Sequence, residues 1–300
     1  MFYGKRIYSI LFIALYFVLQ LSASPVYAAG PTSAEYGVVL NLSGKQRMLS
    51  QKMSKEVLLV ALGIDLDNNI ANLTTTSSLF DKTLKGLQLG SADLHLPPTS
   101  NKRILRQLEK INELWTGFYP IIKVILNSKT VTPEQVASIA SNNLPLLKQM
   151  NKAVGLYEKD AQKGGLKADP GLASTLNLSG KQRMLTQKMS KEFLLIAYGH
   201  ESEPNKLNLL ETYTLFERTL KGLRDGDETL GLPGTKSEAI RQQLTVVEGL
   251  WLTFKPIVAN AVEQSGKIQA DQINSLASNN LPLLKEMNLT VGMYEKESAK

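Results

Sequence analysis

Cysteine is absent from the 300-residue chain, which excludes a disulfide framework, a zinc–thiolate centre and a cysteine nucleophile and leaves the fold to be held by packing. Histidine occurs only at His95 and His200. The two are not equivalent positions and neither has a metal-ligand neighbour at helical spacing, so both read as surface residues, and no metal or cofactor is expected. No glycine-rich nucleotide loop, no Gly-x-Ser-x-Gly elbow and no recurring pair of carboxylates is found, so an enzyme is not expected. Charge of one sign is also scarce. The net charge is +7, and Lys5 and Arg6 at the extreme N-terminus supply two of those charges, an excess too mild to indicate nucleic acid as a partner.

Long apolar runs are equally rare, with one alone in the chain, from Ile7 to about Leu21. Preceded by Lys5 and Arg6 and followed by Val26-Tyr27-Ala28, whose outer residues are small, it predicts a signal peptide over residues 1–28 and a mature protein beginning at Ala29. The alternative is an uncleaved anchor in the inner membrane, since the run approaches the roughly 20 residues of a bilayer span. Both readings put the rest of the chain in the periplasm. Its composition, 43% hydrophobic and 20% charged, is that of a globular protein with more than one core.

What the sequence does have is a repeat. The sixteen residues from Asn41 to Glu56 return from Asn177 to Glu192 and differ only at Ser50 and Thr186. The offset of 136 residues between Leu42 and Leu178 recurs at Phe80/Phe216 and Trp115/Trp251. It becomes 137 at Leu144/Leu281 and Tyr157/Tyr294, which places a one-residue insertion between Trp251 and Leu281. Such a period suits a small domain. Two domains are expected, residues 33–163 and 170–298, joined through Lys163-Gly164-Gly165 and Asp169-Pro170-Gly171.

Apolar spacing within each copy is helical. The first copy divides at about Ser33–Gly63, Asp67–Gly90, Thr99–Ser128 and Pro133–Gln162, with Thr132-Pro133-Glu134 a helix start of the capped, proline-first kind. Short loops between long helices predict an all-α protein of two tandem up-down four-helix bundles. Pro145 and Pro282 fall inside the fourth helices, where each removes a hydrogen bond. Asn142-Asn143 and Asn279-Asn280 just before them are read as satisfying the freed carbonyls or lining a polar pocket. Trp115 and Trp251, each followed by Phe118 or Phe254, are read as core anchors. Asn41, Asn72, Asn177 and Asn288 begin Asn-x-Ser/Thr triplets, which are taken as coincidental.

The first helix of each copy carries the most information. At 100° per residue, Val38, Leu42, Leu49, Met53, Val57 and Val60 fall within about 60° of Leu42 and make a core stripe. The opposite side collects Leu40, Gly44, Arg47, Gln51, Ser54 and Leu58. Gly44 costs about 1 kcal/mol against alanine in mid-helix, which points to a close approach of backbone or ligand one turn from Arg47. An arginine there calls for an anionic partner, either a carboxylate of the bundle or a ligand. Lys45, Lys52 and Glu56 are read as a solvated flank with helical charge pairs.

The pattern Asn41-x-Ser43-Gly44-x-x-Arg47-Met48-Leu49-Ser50-Gln51-x-Met53 resembles the signature of PilJ-type and NarX-like periplasmic sensor domains of type IV pilus chemotaxis transducers and nitrate/nitrite sensor kinases, and it occurs twice. Lys45, Gln46, Leu49 and Gln51 are closest to the PilJ type. The resemblance implies a four-helix bundle that pairs through its first helix and holds a small anion between a glycine and an arginine from each partner. Those positions are Gly44 and Arg47 in one copy and Gly180 and Arg183 in the other, with Gln51 and Gln187 beside them, so the two repeats are expected to form an intramolecular pseudo-dimer. Nothing resembles a transmembrane return helix, a histidine kinase or a methyl-accepting coiled coil. The expectation is a ligand-binding module for a small anion or metabolite that signals through a separate membrane receptor or kinase. The alternative is a non-catalytic structural or adaptor bundle, in which the arginines would be paired with carboxylates or solvated.

Overall fold

The computed structural model describes residues 30–300 apart from Ala168; the leader expected over residues 1–28 lies outside the described residues. Four helices make the first repeat: α1 Ser33–Ala61, α2 Leu66–Leu89, α3 Lys102–Ser128 and α4 Pro133–Lys163. Four make the second: α5 Pro170–Tyr198, α6 Ser202–Asp225, α7 Glu238–Glu263 and α8 Ala270–Ser298. These boundaries lie within a few residues of those read from the sequence. Their starts have local chemical causes. Thr32 and Thr132 form capping boxes with Glu35 and Gln135, and the Asp169 carboxylate accepts from the Leu172 amide, each satisfying an amide that the first turn leaves unpaired. At the other end of α1, Asp65 takes φ 44°, and Glu201 repeats that left-handed turn at 45°.

Within each repeat the helices pack in a closed cycle, α1 against α2 and α4 with α3 completing the ring, and α5 to α8 likewise. That is the expected pair of up-down four-helix bundles. Phe80 and Trp115 fill the first core with ring centroids 4.4 Å apart, and Phe216 and Trp251 fill the second at 4.6 Å. The indole N–H groups donate outward to Asp81 and Glu217. Gln46 and Gln182 reach across each bundle to donate to the carbonyls of Phe80 and Phe216, both at 2.9 Å. Pro145 and Pro282 lie within α4 and α8 as expected.

The most extensive pairing joins the two first helices, α1 and α5, supplemented by α1 against α8 and α4 against α5. Residues 31–300 consequently form one compact unit. Ser33 Oγ donates to the carbonyl of Ser298, tying the start of α1 to the end of α8. Helix α1 is buried on almost every side from Leu40 to Val60, which corrects the reading of Lys45, Lys52 and Glu56 as a solvated flank. Glu56 is 1% exposed and Lys55 4%, while Lys45 and Lys52 are half-buried. A helix with bundle on one side and a second bundle on the other has no solvated flank of that width. Among the described residues no helix is long and apolar enough to cross a membrane.

Because α1 hides Leu40, Gly44, Arg47 and Leu58 only when α5 lies beside it, the first repeat cut out as residues 31–163 would expose that face. It is expected to sediment as a dimer or a larger species. A stable, folded monomer in analytical ultracentrifugation would contradict the dependence of each repeat on its copy.

Candidate functional site: a buried arginine pair at the helix crossing

Helices α1 and α5 meet at their glycines. A Cβ added to Gly44 would lie 3.8 Å from the Gly180 Cα, and one added to Gly180 would lie 3.8 Å from the Gly44 Cα. The same Cβ on Gly44 would stand 3.3 Å from Arg47 Nη2 and 3.6 Å from Arg183 Nη2, so those two nitrogens are no more than about 7 Å apart. All four residues singled out by the sequence therefore come together, and Gln51 and Gln187 follow one turn along, fully buried.

Both guanidiniums are 2% exposed. Their partners are amides and carbonyls. Arg47 donates to Asn177 Oδ1 and to the Asn177 carbonyl, each at 2.9 Å, and to Asn151 Oδ1 at 3.4 Å. Arg183 donates to the Asn41 carbonyl at 2.9 Å and to Asn288 Oδ1 at 3.3 Å. Acidic groups stand one bond farther out, with Glu158 accepting from Asn177 Nδ2 and Glu295 from Asn41 Nδ2. No ion pair joins either arginine to a carboxylate among the described residues, so a scaffold's usual neutralisation of a buried charge is missing here. Burial pushes the Arg47 guanidinium down to about 10, opposed by Glu158. It pushes Arg183 down to about 9, with the Arg47 charge adding to the effect and Glu295 opposing it. Both stay protonated at neutral pH. At an effective dielectric near 20, two unit charges about 7 Å apart repel by about 2 kcal/mol.

Some buried polar atoms here are unpartnered, and of them the arginine Nε–H groups alone could serve an oxyanion, which accepts hydrogen bonds and has none to donate. Nε of each arginine and Oε1 of Gln51 and Gln187 are buried without a protein partner. The arrangement brings the two guanidinium groups together over two glycine backbones, with the Nη2 atoms 3.3 and 3.6 Å from a Cβ added at Gly44, and planar guanidinium forks are suited to carboxylate and phosphate-like oxyanions. Backbone amides contribute nothing, because the motif lies inside a helix whose N–H groups are already used.

A second polar layer lies one to two turns along the same helices. Lys55 Nζ crosses from α1 to Asn280 Oδ1 on α8 at 2.8 Å, and Gln187 Nε2 donates to the same oxygen at 2.9 Å. Lys191 crosses from α5 to Asn143 Oδ1 on α4 at 3.2 Å. Asn143 in turn donates to the Ser50 carbonyl and to Ser54 Oγ, and Asn280 to the Thr186 carbonyl and Ser190 Oγ. Asn143 and Asn280 thus serve a buried network between helices, while Asn142 and Asn279 donate within their own helices to the carbonyls of Ser138 and Ser275. Sequence reasoning missed Lys55, Lys191 and the arginine partners Asn41, Asn151, Asn177 and Asn288, and it set three of those four aside as glycosylation triplets. Their recurrence at offsets of 136 and 137 was the available signal. His95 is exposed and His200 half-buried, and Trp115 and Trp251 are core residues as expected.

The family model described as "Type IV pili methyl-accepting chemotaxis transducer N-term", PilJ, matches residues 33–140 and 167–276. The chain belongs to the PilJ family. Each PilJ segment begins at or just before a first helix and ends within α4 or α8. The family is one of chemotaxis-transducer sensory domains, which are non-catalytic. The methyl-accepting chemotaxis protein McpN of Pseudomonas aeruginosa is 26% identical over 149 residues, which is 49% of this chain. The aligned stretch spans 27% of that relative's length. This PilJ chain thus shares about one repeat's worth of sequence with a part of the transducer.

The lysine layer gives a stability test. Burial holds the ammonium groups of Lys55 and Lys191 down to about 8, opposed by Glu56 and Glu192, and unfolding returns them to their ordinary value near 10.5. The unfolded chain therefore binds more protons between those values, the full penalty is carried below pH 8, and stability should rise as pH climbs from about 8. Above pH 10 the buried phenols of Tyr36, Tyr157 and Tyr294, raised by burial, act in the opposite direction. Lys55→Met should stabilise the protein at pH 7 by about 1–3 kcal/mol and shrink the rise between pH 7.5 and 9.5 in urea unfolding. Destabilisation at pH 7 with an unchanged pH profile would contradict this.

Proposed function

We propose that this protein is an exported sensory module that binds one small oxyanion between α1 and α5, held by Arg47 and Arg183 over Gly44 and Gly180 with Gln51 and Gln187 alongside, and that it reports occupancy to a separate membrane receptor or kinase. The observation that carries the reading is the state of the two arginines. They are buried, face each other across bare backbone, keep unfilled N–H donors, and meet amides where a scaffold would supply carboxylates. An anion entering between them turns mutual repulsion into two attractions in a low-dielectric gap. Membership of a family of transducer sensory domains supports a sensing role, and the single apolar leader at residues 7–21 supports placement in the periplasm. In this reading the tandem repeat supplies both halves of one site from a single chain, as an internal pseudo-dimer.

Thermal denaturation against nitrate, nitrite, sulfate, phosphate and acetate tests the proposal. An anion at 100 times its Kd adds about 2.7 kcal/mol, a rise of several degrees for a unit of this size. Arg47→Ala and Arg183→Ala should each abolish the rise, since a shared site needs both, while the anion-free fold is kept. Gly44→Ala should weaken binding as well, because its methyl group would sit among the Nη2 atoms. Half-sized responses in each arginine variant would mean two separate sites. No response from the parent protein to any of the five would overturn the oxyanion reading.

A further inference from the structure

A ligand held between two arginines that are each 2% exposed cannot reach them without an opening, and the side chains joining that interior to the surface mark where the opening lies. On one side Arg47 Nη1 donates to Asn151 Oδ1 at 3.4 Å, and Asn151 is itself exposed on α4. Asn151 also lines a cavity of about 200 Å³ between α4, α5 and α6, together with Leu147, Lys181, Met184, Lys188 and Leu215. Lys181 is half-buried, and its ammonium is lowered by burial and then by the charge of Arg47, which puts it within electrostatic reach of the arginine. A hydrogen bond of 3.4 Å lies at the long edge of the useful range and costs little to break.

The opposite side is built from equivalent residues but is charged differently. Arg183 donates to Asn288 at 3.3 Å, and Asn288 is half-buried. There the ammonium of Lys45 feels Arg183 but is also offset by Glu295. At Lys181 the charges felt are Arg47 and Lys188, both cationic. Glu211 on α6 is the acidic residue lining the Lys181 cavity, and Lys188 is bound to Glu192.

We infer that the anion enters and leaves through the cavity between α4, α5 and α6, with Lys181 as the steering cation and the Asn151–Arg47 hydrogen bond as the latch. This deepens the oxyanion reading above and rests on it. Neither residue is proposed as a principal anchor of the bound ligand; both act on the rates at which it passes. Attraction by a cation at the mouth raises the association rate and is screened by salt, whereas dissociation is governed by contacts inside.

The test separates rates from affinity. The purified 15N-labelled chain is titrated with sodium nitrate and, separately, sodium phosphate, and the amide signals of Gly44 and Gly180 are followed, since their positions give Kd and their line shapes give the dissociation rate. Lys181→Met should slow association by about three- to tenfold at low salt, with the difference largely gone at 0.5 M sodium chloride, and Glu211→Gln should speed it. Asn151→Ala should raise association and dissociation together, changing the rates more than Kd. The proposal is overturned if Lys45→Met or Asn288→Ala moves the rates as much as its counterpart, or if Lys181→Met changes Kd through dissociation alone. If neither anion shifts the glycine signals of the parent chain while the fold is intact, the oxyanion reading fails, and the portal with it. If binding is intact and only the portal variants are silent, the route alone is wrong.

Discussion

The closeness of the α1–α5 crossing depends on the absence of two side chains. With glycine at 44 and 180 the backbones approach until a Cβ on either would touch the Cα of the other at 3.8 Å, and the arginines one turn later are carried into the interior between the repeats. A methyl group at either position would just touch the opposite backbone and crowd the Nη2 atoms of both arginines, so it is side chains longer than alanine that the crossing has no room for. Burial of two like charges is otherwise unfavourable, so the protein holds a local cost at the one place where the repeats meet most closely, offset by the apolar surface that α1 and α5 bury along the rest of their length.

The polar partners along this helix are sorted by direction. Lys52 and Lys188 turn toward α2 and α6 of their own bundles, where each meets a threonine, Thr76 or Thr212, while pairing with the carboxylate four residues along its own helix, Glu56 or Glu192. Arg47, Arg183, Lys55 and Lys191 turn toward the other repeat and are met by amides and carbonyls. Carboxylates would have neutralised those charges permanently. Neutral acceptors orient a cation while leaving its charge only partly offset, here by carboxylates that make no ion pair with it. Glu158 and Glu295 extend this logic, since they fix the asparagines and sit too far out to pair with the arginines.

Much of this was legible in the sequence. The helix period, the caps at Thr132 and Pro133, the duplication and the two-faced first helix follow from local chemistry, and a glycine one turn before an arginine, on a face of small and polar residues between leucines, marked the candidate site. The fourth-helix partners were not legible in the same way. Asn151 and Asn288 lie roughly a hundred residues from the arginines they touch, and they fall outside the segments matched by the family model. An asparagine has no periodic signature, and its use is decided by which helix happens to pass. The misreading of Glu56 has a related cause. Charge pairs at i and i+4 suggest solvent when one helix is considered alone, but a helix enclosed by two bundles can keep such a pair inside.

The two copies have diverged unevenly, and the packing accounts for the pattern. Positions in the outer helices differ freely, as at Asp81 and Glu217, which both still accept from a tryptophan N–H. Along Asn41–Glu56 one difference survives, Ser50 against Thr186. Each hydroxyl donates to the carbonyl of its own arginine at 2.8 Å and accepts from the neighbouring glutamine, so the extra methyl group leaves the bonding unchanged. Most of the segment is buried in a helix packed against both its own bundle and the other first helix, so a change in size there has little room to be absorbed. Small departures from symmetry remain possible at the rim. Asn177 Oδ1 accepts from Arg47, whereas Asn41 Oδ1 is buried without a protein partner, so Arg183 has one acceptor fewer than Arg47. The crossing of α1 and α5 thereby acquires inequivalent halves, which two identical chains related by an exact twofold axis could not provide.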